Sequence, residues 1–117
     1  MALVRELEAV PAEAVGGAGG AEGVHKRILI GPQDGAPTFA VRLFSVQAGG
    51  HTPRHSHPFE HGVVVLKGSG ELVSPEGSIP LRAGHVAYVP PGELHQFRNT
   101  GEGAFEFLCV VPRHVEL

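Results

Sequence analysis

The chain has 117 residues, with 17 glycines, 10 prolines, a single cysteine and a formal net charge of -3 at pH 7. That length suits one core and one domain, and the weakly acidic balance supplies no basic field for nucleic acid or for an anionic membrane. One cysteine permits no intramolecular disulfide, no stretch reaches the roughly 20 apolar residues of a membrane-spanning helix, and the first residues lack the basic start and apolar centre of a secretory leader. A cytoplasmic protein that touches neither nucleic acid nor membrane is expected.

Glycine and proline interrupt the sequence every few residues, which fits many short strands and tight turns. Residues 1–10 read as an extended edge segment or a short helical turn. Residues 11–23 (PAEAVGGAGGAEG) read as a flexible connection, so that 1–23 form an N-terminal extension and 24–117 a single domain. His25 to Ile30 is a β-rich run, and Gln33-Asp34-Gly35 is a turn. In the strand Phe39 to Val46 the lone charge of Arg42 assigns Ala40, Arg42 and Phe44 to the outside. Phe39, Val41, Leu43 and Ser45 are then expected to face the interior.

Gln47 to Gly50 reads as a turn that leads into a histidine-rich segment and the apolar run Val63 to Leu66. Short strands follow at 71–73, 78–82 and 85–89, separated by turn signals at 74–77 and 90–92. The last strand, Ala104 to Val111, carries Glu106, which points the even positions outward and Phe105, Phe107 and Cys109 inward. Short strands at this spacing predict an all-β jelly roll or small barrel.

The chemistry concentrates between residues 49 and 99. His55, His57 and His61 share one alternating register with Val63 and Val65, and in a strand such positions face the same way. Each inward imidazole has two ring nitrogens to satisfy, and a divalent cation satisfies several rings at once. The plainer alternative leaves His55 and His57 in an exposed polar loop, with His61 alone buried. A downstream histidine, His95, completes the set and favours the metal.

The spacing around these residues is similar to that of the cupin superfamily. Gly49, His55, His57 and Gly68 match its first motif, with His61 standing at the usual glutamate position and Glu60 beside it. Gly84, Pro90, Gly92, His95 and Asn99 match the second motif. The resemblance implies a double-stranded β-helix jelly roll and a homodimer, with an exchange of the early strand between subunits as one way to build it. It also implies one divalent transition ion (manganese, iron, zinc or nickel) on His55, His57, His61 and His95. Glu60 is the alternative fourth ligand, although it lies out of phase with the histidines.

Four neutral ligands leave the ion its full charge and favour an anionic small molecule. Phe39, Val41, Leu43, Val63, Val65, Phe97, Phe107 and Cys109 are expected to line a small apolar pocket around the ion, or simply to fill the barrel. Two functions fit. One is an enzyme for oxidative cleavage or decarboxylation with iron or manganese, or for Lewis-acid chemistry with zinc or nickel. The other is a metal-dependent binding or structural module without turnover.

Overall fold

The structure, a computed structural model, describes residues 1–16 and 20–117. It is an all-β jelly roll, built among the described residues from nine strands: β1 (Glu13–Ala14), β2 (Glu22–Ile30), β3 (Phe39–His51), β4 (His61–Lys67), β5 (Ser69–Ser74), β6 (Gly77–Arg82), β7 (Val86–Val89), β8 (Gln96–Asn99) and β9 (Phe105–Pro112). The curled sheet runs β6-β5-β8-β3-β9-β4-β7, and β2 adds to the other edge of β3 with β1 beyond it. Among the described residues helical structure is limited to 3-10 turns at Leu7–Ala9, Pro32–Asp34 and Arg113–Glu116, and no helix is long and apolar enough to cross a membrane.

Alternation explains most strands. On β4, His61, Val63 and Val65 are buried, and on β9, Phe105, Phe107, Cys109 and Val111 are. Antiparallel pairing sets Val63 against Cys109 and Val65 against Phe107, so both inner sets stack on one face. Phe107 packs against Phe97, Phe105 and Phe44, with ring centroids 4.7, 5.2 and 5.5 Å apart. Asn99 is buried among these strands without loose polar atoms. Its amide donates to the carbonyls of Val46 and Gly103, and its oxygen accepts from the Gly101 N–H.

Strand β3 has the opposite phase from the one expected. Ala40, Arg42, Phe44 and Val46 face inward, and Phe39, Val41, Leu43 and Ser45 face outward. Register shows it: Ser45 pairs with Glu106, whose carboxylate accepts the Ser45 hydroxyl hydrogen bond on the outer face at 3.0 Å. Phe39 is 41% exposed, and Leu43, though buried, borders a hollow formed with Ala12, His25, Arg27, Ser45 and Glu106. Three of the eight expected pocket residues, Phe39, Val41 and Leu43, therefore lie on the wrong side of the sheet. The reason is that Arg42 is not a solvent marker. It lies inside because the Glu116 carboxylate, from the far end of the chain, accepts its hydrogen bond at 3.2 Å.

Two expected loops also carry structure. Glu13 and Ala14 pair with Lys26 and His25, the Val15 N–H donates to the Val24 carbonyl, and β2 begins at Glu22 and pairs with β3 of the same chain. Residues 17–19 of the expected linker lie outside the described residues. The turn expected at Gln47 to Gly50 is a bulge within β3: two pairings, Glu22 with His51 and Val24 with Val46, leave extra residues on β3. Gly49 takes φ +78° there, a conformation that suits glycine.

Candidate metal centre

Backbone pairing brings the two histidine segments together. After β3, the Thr52 N–H donates to the Phe97 carbonyl at 2.8 Å, and the Phe97 N–H donates to the Thr52 hydroxyl at 2.8 Å. His55 and His95 then exchange N–H···O bonds of 3.1 and 3.0 Å, and the Gly92 N–H donates to the His57 carbonyl at 2.8 Å. A pair that exchanges both bonds presents its side chains on the same face. His61 joins from the first position of β4, whose inward phase carries on through Val63 and Val65.

Three of the four rings form one candidate metal group, and His61 stands beside it without belonging to the set whose nitrogens are all mutually close. His55, His57 and His95 each offer a ring nitrogen, and these atoms all lie within 4.8 Å of one another. The His61 ring centroid lies 4.6 Å from that of His57 and 4.7 Å from that of His95. His61 and His95 are buried, at 5% and 2% exposure. Burial, and after it the neighbouring imidazoles and the Arg42 guanidinium, holds the His61 pKa down to about 3. The pKa values of His55 and His95 are lowered as well, with burial again the first cause. Neutral imidazole, the form that binds metals, therefore prevails at neutral pH in these three rings.

Hydrogen bonds fix which nitrogen is free. The Nδ1 atoms of His57 and His95 lie 3.0 and 2.9 Å from the carbonyls of Phe59 and Glu93, which can only accept, so in the neutral ring Nδ1 carries the proton and Nε2 the lone pair. The Phe59 ring also stacks on His57 at 3.8 Å. The His61 Nδ1 contacts the Cys109 sulfur at 3.1 Å, and its Nε2 is buried without a hydrogen-bond partner. An orphaned nitrogen among three other imidazoles fits a divalent cation, which would occupy the lone pairs these rings leave free. Glu60, the alternative ligand, is exposed and borders an outer hollow with Thr38 and Phe39.

The cluster opens into a cavity of about 200 Å3. Phe97, Phe107 and Cys109 line it as expected, whereas Val63 and Val65 belong to the packed core and do not reach it. Lys26, Arg42, Phe44, Thr52, Phe59, Val15 and Val115 also line it. Sequence reasoning missed Arg42 and Phe44 with the phase of β3, and it missed Val15 and Val115 because nothing local ties the chain ends to the barrel. None of the lining residues is acidic.

Strand order, motif spacing and histidine cluster together define a barrel of the cupin type. The chain belongs to the cupin superfamily: the family model described as "Cupin domain" matches residues 42–111. It is 34% identical over 74 residues to the 1-methylthio-D-xylulose 5-phosphate methylsulfurylase of Rhodospirillum rubrum, covering 63% of this chain and 47% of that protein. It is 32% identical over 75 residues to the oxalate-binding protein of Thermotoga maritima, covering 61% of this chain and 62% of that one. The chain thus spans less than two thirds of either relative. Among solved structures, the polyketide cyclase RemF from Streptomyces resistomycificus superimposes with a TM-score of 0.89 at 35% identity, covering 96% of this chain and 80% of RemF.

Proposed function

We propose that this chain is a metalloenzyme that holds one divalent transition ion on His55, His57, His61 and His95 and acts on a small anionic or carbonyl-bearing compound. The observation that carries the reading is the grouping of the His55, His57 and His95 nitrogens within 4.8 Å of one another, with the unpartnered buried nitrogen of His61 beside them, in a cavity whose lining residues include no carboxylate. Bound there, the ion would polarise a carbonyl or carboxylate, for decarboxylation or oxidative cleavage with iron or manganese and for enolate chemistry with zinc or nickel. The hydrogen-bonded rings of His57 and His95 supply fixed lone pairs, and Phe44, Phe97 and Phe107 keep the adjoining space apolar. A volume of about 200 Å3 suits a compact substrate. Likeness to a polyketide cyclase supports the enolate branch, and likeness to an oxalate-binding protein supports a small carboxylate.

A non-catalytic binding module is the second reading, favoured because the lining residues include no carboxylate and the nearby Glu116 is tied up by Lys26 and Arg42, which leaves no free general base. Metal analysis of the purified protein, followed by dioxygen uptake and loss of oxalate, 1,2-dicarbonyl and β-keto-acid substrates, separates the two. Turnover that disappears in His61→Ala is the expected result. Saturable binding without turnover would leave the binding module standing.

We further propose a cytoplasmic homodimer. The outer sheet face exposes Val64, Leu66, Val86, Tyr88 and Val110, and apolar runs such as Val63 to Leu66 are typical of strands covered on both faces. Light scattering should give twice the chain mass for the wild type and the monomer mass for Tyr88→Glu.

A further inference from the structure

One feature of the cavity wall lies outside the histidine cluster. Lys26 on β2 and Arg42 on β3 both border the cavity, and both hold the carboxylate of Glu116. Lys26 Nζ donates to the two Glu116 oxygens at 3.1 and 3.0 Å, and Arg42 Nη1 donates at 3.2 Å. Arg42 Nη2 donates to the Cys109 sulfur at 3.2 Å, and its guanidinium lies 4.9 Å from the centre of the Phe44 ring. Its Nε is buried with no partner at all. The Cys109 sulfur touches the His61 ring on its other side, so the guanidinium is one atom removed from the histidine cluster.

This is an odd arrangement for a device that only stabilises. Two cations share one anion, leaving a net positive charge in the wall, and buried ion pairs seldom repay their desolvation. An apolar barrel end would be cheaper to build. The anion sits on a single 3-10 turn, Arg113–Glu116, that contains no buried residue, although the Glu116 side chain itself is only 6% exposed. A single turn with so few backbone bonds opens at low cost. A carboxylate so placed resembles a ligand held on a tether.

We propose that Arg42 and Lys26 form a carboxylate-recognition subsite beside the histidine cluster, and that Glu116 fills it until the carboxylate of a substrate displaces it. The inference rests on reading the cavity as the place where substrate binds, and it narrows the substrate to compounds carrying a carboxylate within short reach of the group that meets the histidines. Arg42 supplies direction, because a guanidinium pairs with a carboxylate in a planar fork. Lys26 supplies a second, less directional charge. Departure of Glu116 would carry Val115 away from the cavity and enlarge it, since Val115 lines it.

The test is calorimetric titration of the zinc-loaded chain with malonate and with the uncharged malonamide, with zinc content measured on every sample. Glu116→Gln keeps shape and removes charge, so malonate should bind about tenfold tighter, with malonamide unchanged. Lys26→Met and Arg42→Met should weaken malonate by about tenfold and cancel the gain in the double variants. Arg42 is buried, so if Arg42→Met does not fold, the half-buried Lys26 carries the test alone. Unchanged malonate affinity in Glu116→Gln, or a gain shared by malonamide, would overturn the subsite. A chain that retains no zinc yet shows the malonate gain would defeat the metal reading and leave the subsite intact. Full zinc content with no gain would do the reverse.

Discussion

His61 is the residue on which the proposed centre's chemistry would turn, because it stands where the related motif carries a glutamate. Its Nε2 is available to a cation only if Nδ1 carries the proton, and the one group against Nδ1 is the Cys109 sulfur. Burial pushes the Cys109 thiol up, so the sulfur is uncharged at neutral pH and serves as a weak acceptor held in place by Arg42. Cys109→Ala should leave the barrel folded but lower metal affinity by about tenfold, as loss of a ligand's hydrogen-bond partner does. Competition with a chromogenic chelator measures it, and wild-type affinity in the variant would show that the sulfur does not orient the ring. The effect of His95→Ala should be larger. It removes a ring from the heart of the cluster, so metal content and melting temperature should fall together, since a ligand that binds only the folded state stabilises it. Unchanged metal content would strike His95 from the ligand set.

Strands differ in how much of their placement local sequence records. On β4 and β9 the inner faces are apolar or histidine and the outer faces carry no conflicting charge except Glu106, so alternation alone gives the phase. On β3 the same rule fails, because Arg42 is paired inside with Glu116, a residue far along the chain that no local pattern announces. Pairing of Ser45 with Glu106 would have corrected it, since a residue opposite an outward one must also be outward. The proximity of His55, His57 and His95 was legible because they come from two short motifs, and the contacts that align them are backbone bonds at fixed positions. The paired segment around Glu13 was not, because its two residues carry no apolar face of their own. Packing within strands gives a further expectation. Gly70 on β5 meets the Arg98 carbonyl and the Phe105 ring, and a Cβ there would lie 2.5 Å from each. Gly62 on β4 has nothing within 4 Å of the corresponding position. Gly70→Ala should therefore cost about 1–3 kcal/mol through overpacking, whereas Gly62→Ala should be close to neutral. Chemical denaturation compares them, and equal stabilities would contradict the close approach at Gly70.

The molecule as a whole couples stability to these rings, because His55 and His57 join the segment between β3 and β4 to His95 between β7 and β8, and His61 adds the start of β4. Without metal, the buried imidazoles resist protonation in the folded state. His61 has a folded pKa of about 3 against an ordinary value of 6.5, so between those values the unfolded chain binds a proton that the folded chain refuses. The stabilising contribution is thus complete above pH 6.5 and is lost as the pH falls towards 3, and the lowered pKa values of His55 and His95 act in the same direction. Metal-free wild type should show a melting temperature that drops steadily as the pH is lowered from neutrality, and metal-free His61→Gln, which has no proton to bind there, should show a shallower slope. In the loaded protein the fall should coincide with release of the ion, because protons and metal compete for the same lone pairs. Parallel slopes for the metal-free pair would mean that His61 is not held neutral by its surroundings, and that the fold does not supply the ring in its metal-binding form.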